Sequence, residues 1–197
     1  MLTNQTLTML DGTTKELSDY QGQLLMVVNV ASRCGLSPQY ETLEALQKKY
    51  SSRGFTVLGV PSGTFMQELK SNDDISDYCS TTWGVTFAML EKADVNGRKR
   101  HPLYKELVKA KDGMGLAGPV MWNFEKFLVT PDGNIMRFRP QTKPDSEEII
   151  AAIEANMPRV VSRVGAMAVA VTAVEEKVVE VMVRVEVMVG VREVAES

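Results

Sequence analysis

Residues 24–50 read LLMVVNVASRCGLSPQYETLEALQKKY, and this stretch decides the fold. Residues 24–31 form an almost continuous apolar run, which predicts a strand covered on both faces of a sheet. Large apolar side chains then recur at helical spacing, which predicts a helix after the strand. These side chains are Tyr40, Leu43, Leu46 and Tyr50. The stretch therefore predicts a strand, a short loop and a helix.

Cys34 lies in the loop between the predicted strand and helix. Ser37 can cap the helix and Pro38 suits its first position, so the thiol is expected near unpaired backbone N–H groups. The partial positive charge of those groups stabilises a thiolate and lowers the pKa of a cysteine. A free cysteine is more often inert packing. The polar loop instead favours an exposed, reactive Cys34, with Arg33 adding positive charge nearby.

Outside this stretch, turn signals and apolar runs predict the remaining elements of a three-layer α/β fold with a central mixed sheet flanked by helices. The predicted elements are an N-terminal β-hairpin (6–10 and 13–17), a strand (55–61), a helix capped by Asp73 or Asp74, a helix (101–110), a hairpin (124–130 and 135–140) and a helix starting at Asp145 or Ser146.

The composition is that of an ordinary globular protein with one core. The chain has 197 residues, a net charge of -3 and no basic stripe, so nucleic acid is not expected as a partner. It shows no basic-then-apolar leader pattern at its start and no membrane-length apolar run, which predicts a cytoplasmic protein without a membrane partner. Two cysteines and one histidine predict neither a metal site nor a cofactor, and the cysteine pair is read as redox-active.

The composition changes sharply at residue 158. Residues 158–197 contain no aromatic side chain and no leucine, and valine alternates with other residues over much of their length. We interpret them as a low-complexity extension without chemistry, following a single domain that spans residues 1–157.

Three segments carry a resemblance to a known family. They are NVASRCG (29–35), DYCSTTWGVTF (77–87) and WNFEKFLVTPDG (122–133). Together they resemble the glutathione peroxidase family, in its cysteine-containing, thioredoxin-dependent form, over roughly residues 3–157. The resemblance implies a thioredoxin-like fold and a thiol peroxidase that reduces hydrogen peroxide and organic hydroperoxides.

The same resemblance assigns roles to individual residues. Cys34 matches the peroxidatic position, whereas Trp122 and Asn123 match the residues that hydrogen-bond the reacting centre. Indole and amide N–H groups suit that task because both donate to an anion. Cys79 matches the resolving cysteine, which would attack the Cys34 sulfenic acid to form a disulfide. Thioredoxin or glutathione would reopen that disulfide, and the short path from residue 110 to Trp122 favours thioredoxin.

One position departs from the family pattern. Where relatives carry a glutamine as a further donor, this chain has Thr64, which keeps only a hydroxyl donor. Gln67 lies three residues later and is the alternative if the following loop is shorter by one residue. The sequence leaves both assignments open.

Two other functional classes compete with the enzyme. In one, the chain is a peroxide sensor or redox relay that forms the same disulfide and passes oxidation to a partner protein. In the other, it is an interaction scaffold in which both cysteines only pack. The sequence leaves the oligomeric state open between monomer and dimer.

Overall fold

This computed structural model describes Leu2 and residues 4–158. Its elements in chain order are β1 (Thr6–Thr8), β2 (Thr14–Glu16), β3 (Leu24–Val30), α1 (Gln39–Tyr50), β4 (Phe55–Pro61), α2 (Asn72–Trp83), β5 (Ala88–Met89), α3 (Pro102–Leu107), β6 (Lys126–Val129), β7 (Ile135–Phe138) and α4 (Glu147–Asn156). The predicted helices and strands are all present, several of them with shorter bounds.

Two sheets organise the chain. β1 and β2 form a separate antiparallel hairpin, whereas the other strands form one sheet in the order β5-β4-β3-β6-β7. β3 pairs with β4 in parallel and with β6 in antiparallel fashion, so Val27 faces Leu58 on one side and Phe127 on the other. The predicted mixed central sheet and N-terminal hairpin are confirmed.

The sequence places β3 at the centre because both of its faces are apolar. Leu24, Met26 and Val28 belong to a cluster that includes side chains of α1, α2 and α4. Leu25 and Val27 belong to a second cluster, with side chains of the N-terminal hairpin and α3. Alternating side chains of one strand thus fill both cores, as the pleat requires. The continuous apolar run is explained by this double burial.

The helix starts differ from the predicted ones. α1 begins at Gln39 without a side-chain cap, so the predicted capping by Ser37 is wrong. α2 is capped by Ser71, whose hydroxyl accepts the N–H of Asp74, and not by Asp73 or Asp74 themselves. Both aspartates lie in the first turn, where their charge still favours the helix dipole. The capping residue of α2 thus lies a few positions before the predicted one, and the same face of the helix is buried.

α3 is shorter than the predicted helix over 101–110. It starts at Pro102, after His101 accepts the N–H of Leu103, and it ends at Leu107. The next carbonyls bind a side chain from the sheet: Arg137 of β7 donates to the oxygens of Val108 and Ala110. This buried arginine therefore competes with the helical hydrogen bonds that would extend α3.

The predicted low-complexity extension, apart from Pro158, lies outside the described residues, and its separation from a domain over 1–157 stays a prediction. Among the residues that the structure does describe, no helix is both long and apolar enough to cross a membrane.

Candidate active site

Cys34 lies at the carboxyl end of the central strand, in a series of turns between β3 and α1. Its Sγ accepts the backbone N–H of Leu36 at 3.4 Å, and its carbonyl accepts the N–H of Ser37 at 2.9 Å. The donor to the sulfur therefore comes from a turn and not from the first turn of α1, which starts only at Gln39. Cys34 therefore has one backbone N–H directed at its sulfur.

The structure corrects the expected exposure of this cysteine. The Cys34 side chain is 5% exposed and belongs to the core cluster below the sheet, whereas Arg33 and Gly35 beside it are exposed. The polar sequence of the loop correctly indicates that its neighbouring residues are exposed, but the Cys34 sulfur itself is buried. A shielded sulfur of this kind is reached by a small oxidant such as a hydroperoxide more easily than by a large one.

Gln67 connects the Cys34 loop to the segment around Asn123. Its backbone carbonyl accepts the N–H of Arg33 at 2.8 Å, and its side-chain oxygen accepts the Asn123 amide at 2.9 Å. Thr64 is engaged elsewhere, because its hydroxyl accepts the N–H of Val95 at 3.1 Å and bonds to Ser62 at 2.9 Å. Of the two alternatives left open by the sequence, only Gln67 touches a predicted site residue.

Trp122 and Asn123 lie just before β6, in a segment fixed by an asparagine of the central strand. The Asn29 side-chain amide donates to the carbonyl of Trp122 at 3.0 Å, and its oxygen accepts the N–H of Glu125 at 3.1 Å. Phe124 has a positive φ of 64°, a conformation that costs energy for a bulky residue. Asn29 is fully buried and holds this strained turn in place.

The Trp122 ring is 40% exposed and packs on Phe65, with the ring centroids 5.1 Å apart. Asn123, in contrast, is fully buried, and its Oδ1 is shielded from solvent without a hydrogen-bond partner. The two predicted donors therefore occupy different environments, one partly exposed and one buried.

Cys79 lies in the second half of α2 with its side chain directed into the core. It is 3% exposed, and α2 buries only Ile75 beside it. The pKa of the Cys79 thiol is raised to about 11, mainly by burial; the Tyr40 hydroxyl lowers the pKa in part and the Glu68 carboxylate contributes to raising it. In this position Cys79 is a neutral, unreactive thiol at neutral pH.

A buried charge network fixes the loop that leads to Trp122. Glu125 and Arg137 are both fully buried and form an ion pair, and the other oxygen of Glu125 accepts the N–H of Met121 at 2.8 Å. Arg137 also donates to the carbonyls of Gly118 and Pro119, at 2.9 Å each. Buried charges need such complete pairing, and here the pairing orders an otherwise irregular loop.

Apolar side chains surround Trp122 on the surface. The exposed ones are Met114, Leu116 and Met121. Together with Trp122 they line a cavity of about 590 Å³ that reaches the chain around Pro140. We call these three side chains and Trp122 the apolar rim. Exposed apolar patches of this kind commonly mark a contact surface for a ligand or a protein.

The sequence interpretation missed Asn29, Glu68 and Glu125. Asn29 left a signal, since it is the one polar residue in the apolar run LLMVVNV. A polar side chain at a doubly buried strand position needs specific partners. Glu68 and Glu125 left no comparable signal, because their partners come from distant parts of the chain.

Known proteins share sequence with this chain over most of its length. The family model described as "Glutathione peroxidase" matches residues 2–108. The chain is 43% identical over 166 residues to "Thioredoxin/glutathione peroxidase BtuE" of Escherichia coli, which covers 74% of this chain and 91% of that protein. It is 45% identical over 152 residues to "Hydroperoxy fatty acid reductase gpx1" of a Synechocystis strain, with 74% and 89% covered.

A solved structure extends the similarity to the fold. The structure described as that of T. cruzi GPX1 superposes with a TM-score of 0.59 at 30% identity, covering 77% of this chain and 91% of that one. The thioredoxin-like fold implied by the sequence motifs is confirmed by this likeness. The chain therefore belongs to the glutathione peroxidase family.

Proposed function

We propose that this peroxidase reduces hydrogen peroxide and organic hydroperoxides at Cys34. The Cys34 thiolate attacks the terminal peroxide oxygen, the O–O bond breaks, and a sulfenic acid and an alcohol or water result. The observation that carries the proposal is the chain of hydrogen bonds from Arg33 through Gln67 to Asn123, which joins the cysteine loop to the Trp122–Asn123 segment.

Trp122 and Asn123 supply donors for the charge that develops on the departing oxygen. One N–H of the Asn123 amide donates to Gln67, which fixes the direction of the other N–H, so this second donor does not need to reorient during the reaction. The Trp122 indole N–H lies at the rim and completes the site from the solvent side. Gln67 acts as a positioning residue, and Thr64 has no part in this proposal because its hydroxyl is engaged with Ser62 and Val95.

Cys79 resolves the sulfenic acid in the proposed cycle. Its thiol displaces hydroxide from Cys34, so that a disulfide and water form. Cys79 must first leave the core, since its side chain is buried on α2 and its pKa is about 11. Local opening of α2 is feasible because Ile75 and Cys79 are the helix's only fully buried side chains.

We propose thioredoxin rather than glutathione as the main reductant. A dithiol protein can reopen an internal disulfide in one encounter, and the apolar rim beside Trp122 offers it a contact surface. The name of the Escherichia coli relative includes both donors, which agrees with either. The cytoplasmic location stays a prediction.

Intact mass and thiol counting test the cycle. Reduced protein treated with one equivalent of peroxide should lose two hydrogen atoms and both free thiols. Cys79→Ser should accumulate the Cys34 sulfenic acid, and Cys34→Ser should keep its remaining thiol and stop consuming peroxide. Unchanged thiol counts in the wild type would refute the proposal.

A relay function is the second candidate, favoured by the engagement of the Thr64 hydroxyl away from Asn123. It uses the same disulfide but transfers it to a partner protein. Steady-state turnover with thioredoxin separates the two, because an enzyme turns over rapidly with bulk peroxide whereas a relay stalls after one cycle without its partner.

A further inference from the structure

Arg139 joins two carboxylates beside the cavity next to Trp122. Its Nε donates to Asp112 at 2.7 Å, and one of its terminal nitrogens donates to Glu125 at 2.9 Å. The other terminal nitrogen donates to the carbonyl of Leu116 at 3.3 Å. The Arg139 side chain is 21% exposed, whereas those of both carboxylates are almost completely buried. A guanidinium offers five donors in a fixed plane and an ammonium is a point charge, so lysine would not hold all three acceptors.

Asp112 folds the loop that follows it. Its Oδ1 accepts the backbone N–H groups of Met114 at 3.0 Å and Leu116 at 2.9 Å, and its own N–H donates to the carbonyl of Leu116 at 3.0 Å. The side chains of Met114 and Leu116 are exposed, so packing in the core does not hold them in place. We call residues 112–116 the Asp112 loop. Its own hydrogen bonds and its contacts with Arg139 set where these two side chains of the apolar rim lie.

Glu125 supports another part of the same rim. One of its oxygens accepts the N–H of Met121, and the other is also paired with Arg137. Removal of Arg139 would leave both of these contacts in place. Among the side chains that the structure describes, only that of Arg139 binds both Asp112 and Glu125. Loss of Arg139 should therefore release the Asp112 loop and leave the chain before Trp122 held by Glu125.

The cavity lies beside the donor proposed for the departing oxygen. It is lined by Trp122 and by both exposed side chains of the Asp112 loop, and also by Pro140. The carbonyl of Pro140 accepts the side-chain amide of Gln39, the first residue of α1, at 3.0 Å, so this part of the wall is attached to the helix that follows the cysteine loop. In the proposed reaction Trp122 donates to the oxygen that carries the group R of ROOH. An apolar R extending from that oxygen is accommodated by the neighbouring cavity of about 590 Å³.

We propose that Arg139 is a positioning residue that favours hydroperoxides with a bulky apolar group, an inference that rests on the proposed peroxidase function. By holding the Asp112 loop against Glu125, it keeps the two exposed side chains of that loop in contact with R while Trp122 donates to the departing oxygen. Hydrogen peroxide has no such group, so its reaction with Cys34 does not depend on Arg139. The bonds made and broken are those of the proposed reaction, and the products remain the sulfenic acid and ROH.

Arg139→Met tests the proposal because it keeps an unbranched side chain and removes all the donors. The second-order rate constants for oxidation of Cys34 by cumene hydroperoxide and by hydrogen peroxide are measured in the reduced protein, by rapid quench and intact mass. We expect the constant for cumene hydroperoxide to fall about 5-fold, because apolar contacts to R are lost, and that for hydrogen peroxide to stay unchanged. Arg53→Met, which removes an exposed ion pair with Glu154, is the matched control and should change neither constant.

Two further variants make the test independent of how well Arg139→Met folds. Arg139→Lys keeps a positive charge beside both carboxylates but loses the planar fork, so we expect a smaller loss that is again confined to cumene hydroperoxide. Leu116→Ala removes an exposed apolar side chain of the Asp112 loop and should slow only cumene hydroperoxide. Added to Arg139→Met, it should have little further effect, because that side chain is then already displaced.

The ratio of the two rate constants decides the outcome. An unchanged ratio in both Arg139 variants would overturn the inference, whether the two constants stayed the same or fell together. If Cys34 of the reduced wild type reacted with neither peroxide, the proposed function itself would fail, which is a separate outcome.

Discussion

The two cysteines belong to one core cluster but have different polar surroundings. Cys34 is 5% exposed and Cys79 is 3% exposed, so burial does not distinguish them. The Cys34 sulfur accepts an N–H of a turn, whereas Cys79 faces the Tyr40 hydroxyl and the Glu68 carboxylate from within a helix. In the proposed cycle, this difference in the nearest donors and charges would add to burial in separating the nucleophile Cys34 from the resting thiol Cys79.

The same comparison bears on the order of two steps in the proposed cycle, the oxidation of Cys34 and the later reaction of Cys79. A resolving thiol that were ionised in the resting protein would compete for peroxide and would waste oxidant. In the proposed cycle, burial and the Glu68 charge would keep Cys79 protonated until α2 opens, and opening would restore an ordinary thiol pKa. The proposal thus ties the reactivity of Cys79 to a conformational step.

Alkylation of the native protein gives the largest expected contrast. A thiol with a pKa of about 11 has roughly 100-fold less thiolate at pH 7 than an ordinary one with a pKa near 9. We therefore expect iodoacetamide to modify Cys34 at least about 100-fold faster than Cys79, as measured by peptide mass spectrometry over time. In denaturant the two rates should converge. Faster modification of Cys79 in the native state would contradict the comparison.

The next largest expected effect is on how the free energy of unfolding changes with pH. The unfolded Cys79 thiol ionises near pH 9, whereas the folded one stays protonated up to about 11, so unfolding is favoured as the pH rises through this window. The free energy of unfolding should fall more steeply in the wild type than in Cys79→Ala, by about 1 kcal/mol per pH unit. Denaturant titrations at several pH values measure it.

Ile153→Val is the control for that measurement. It shortens a fully buried side chain of the same core cluster without removing a titratable group. It should lower stability by a constant amount and keep the wild-type slope. A Cys79→Ala slope equal to that of the wild type would show that the thiol ionises freely in the folded state.

The sequence predicted the fold because local patterns and global packing agree. The apolar run at β3, the turn signal between residues 10 and 13 and the helical spacing after Cys34 each fix one element. Helix limits were less predictable, since they depend on distant partners. Arg137 donates to the carbonyls of Val108 and Ala110 just after α3, and no pattern near residue 108 reveals that contact.

The sequence named individual candidate residues of the site but not the hydrogen bonds that connect them. The motif resemblance named Cys34, Trp122 and Asn123, yet the choice between Thr64 and Gln67 depended on a loop path that spacing alone left open. The exposure of Cys34 was predicted wrongly because neighbouring side chains of a turn point in opposite directions. Glu68 was missed for the same kind of reason, since its partners include backbone N–H groups rather than a recognisable motif.

Removing the cap of α2 gives the smallest effect and the sharpest test of its opening. Ser71→Ala loses the hydrogen bond to Asp74 and should cost about 1 kcal/mol of helix stability. If α2 opens locally, the population of exposed Cys79 and its alkylation rate should rise about 5-fold, without a matching rise for Cys34.

Ser146→Ala is the matched variant, because Ser146 caps α4 in the same way, through the N–H of Ile149. It should lower global stability by a similar amount but leave Cys79 alkylation unchanged under native conditions. If both cap variants accelerated Cys79 equally, exposure would require global unfolding. The resolving step would then be too costly for local melting, and the proposed role of Cys79 would need another route between the two sulfurs.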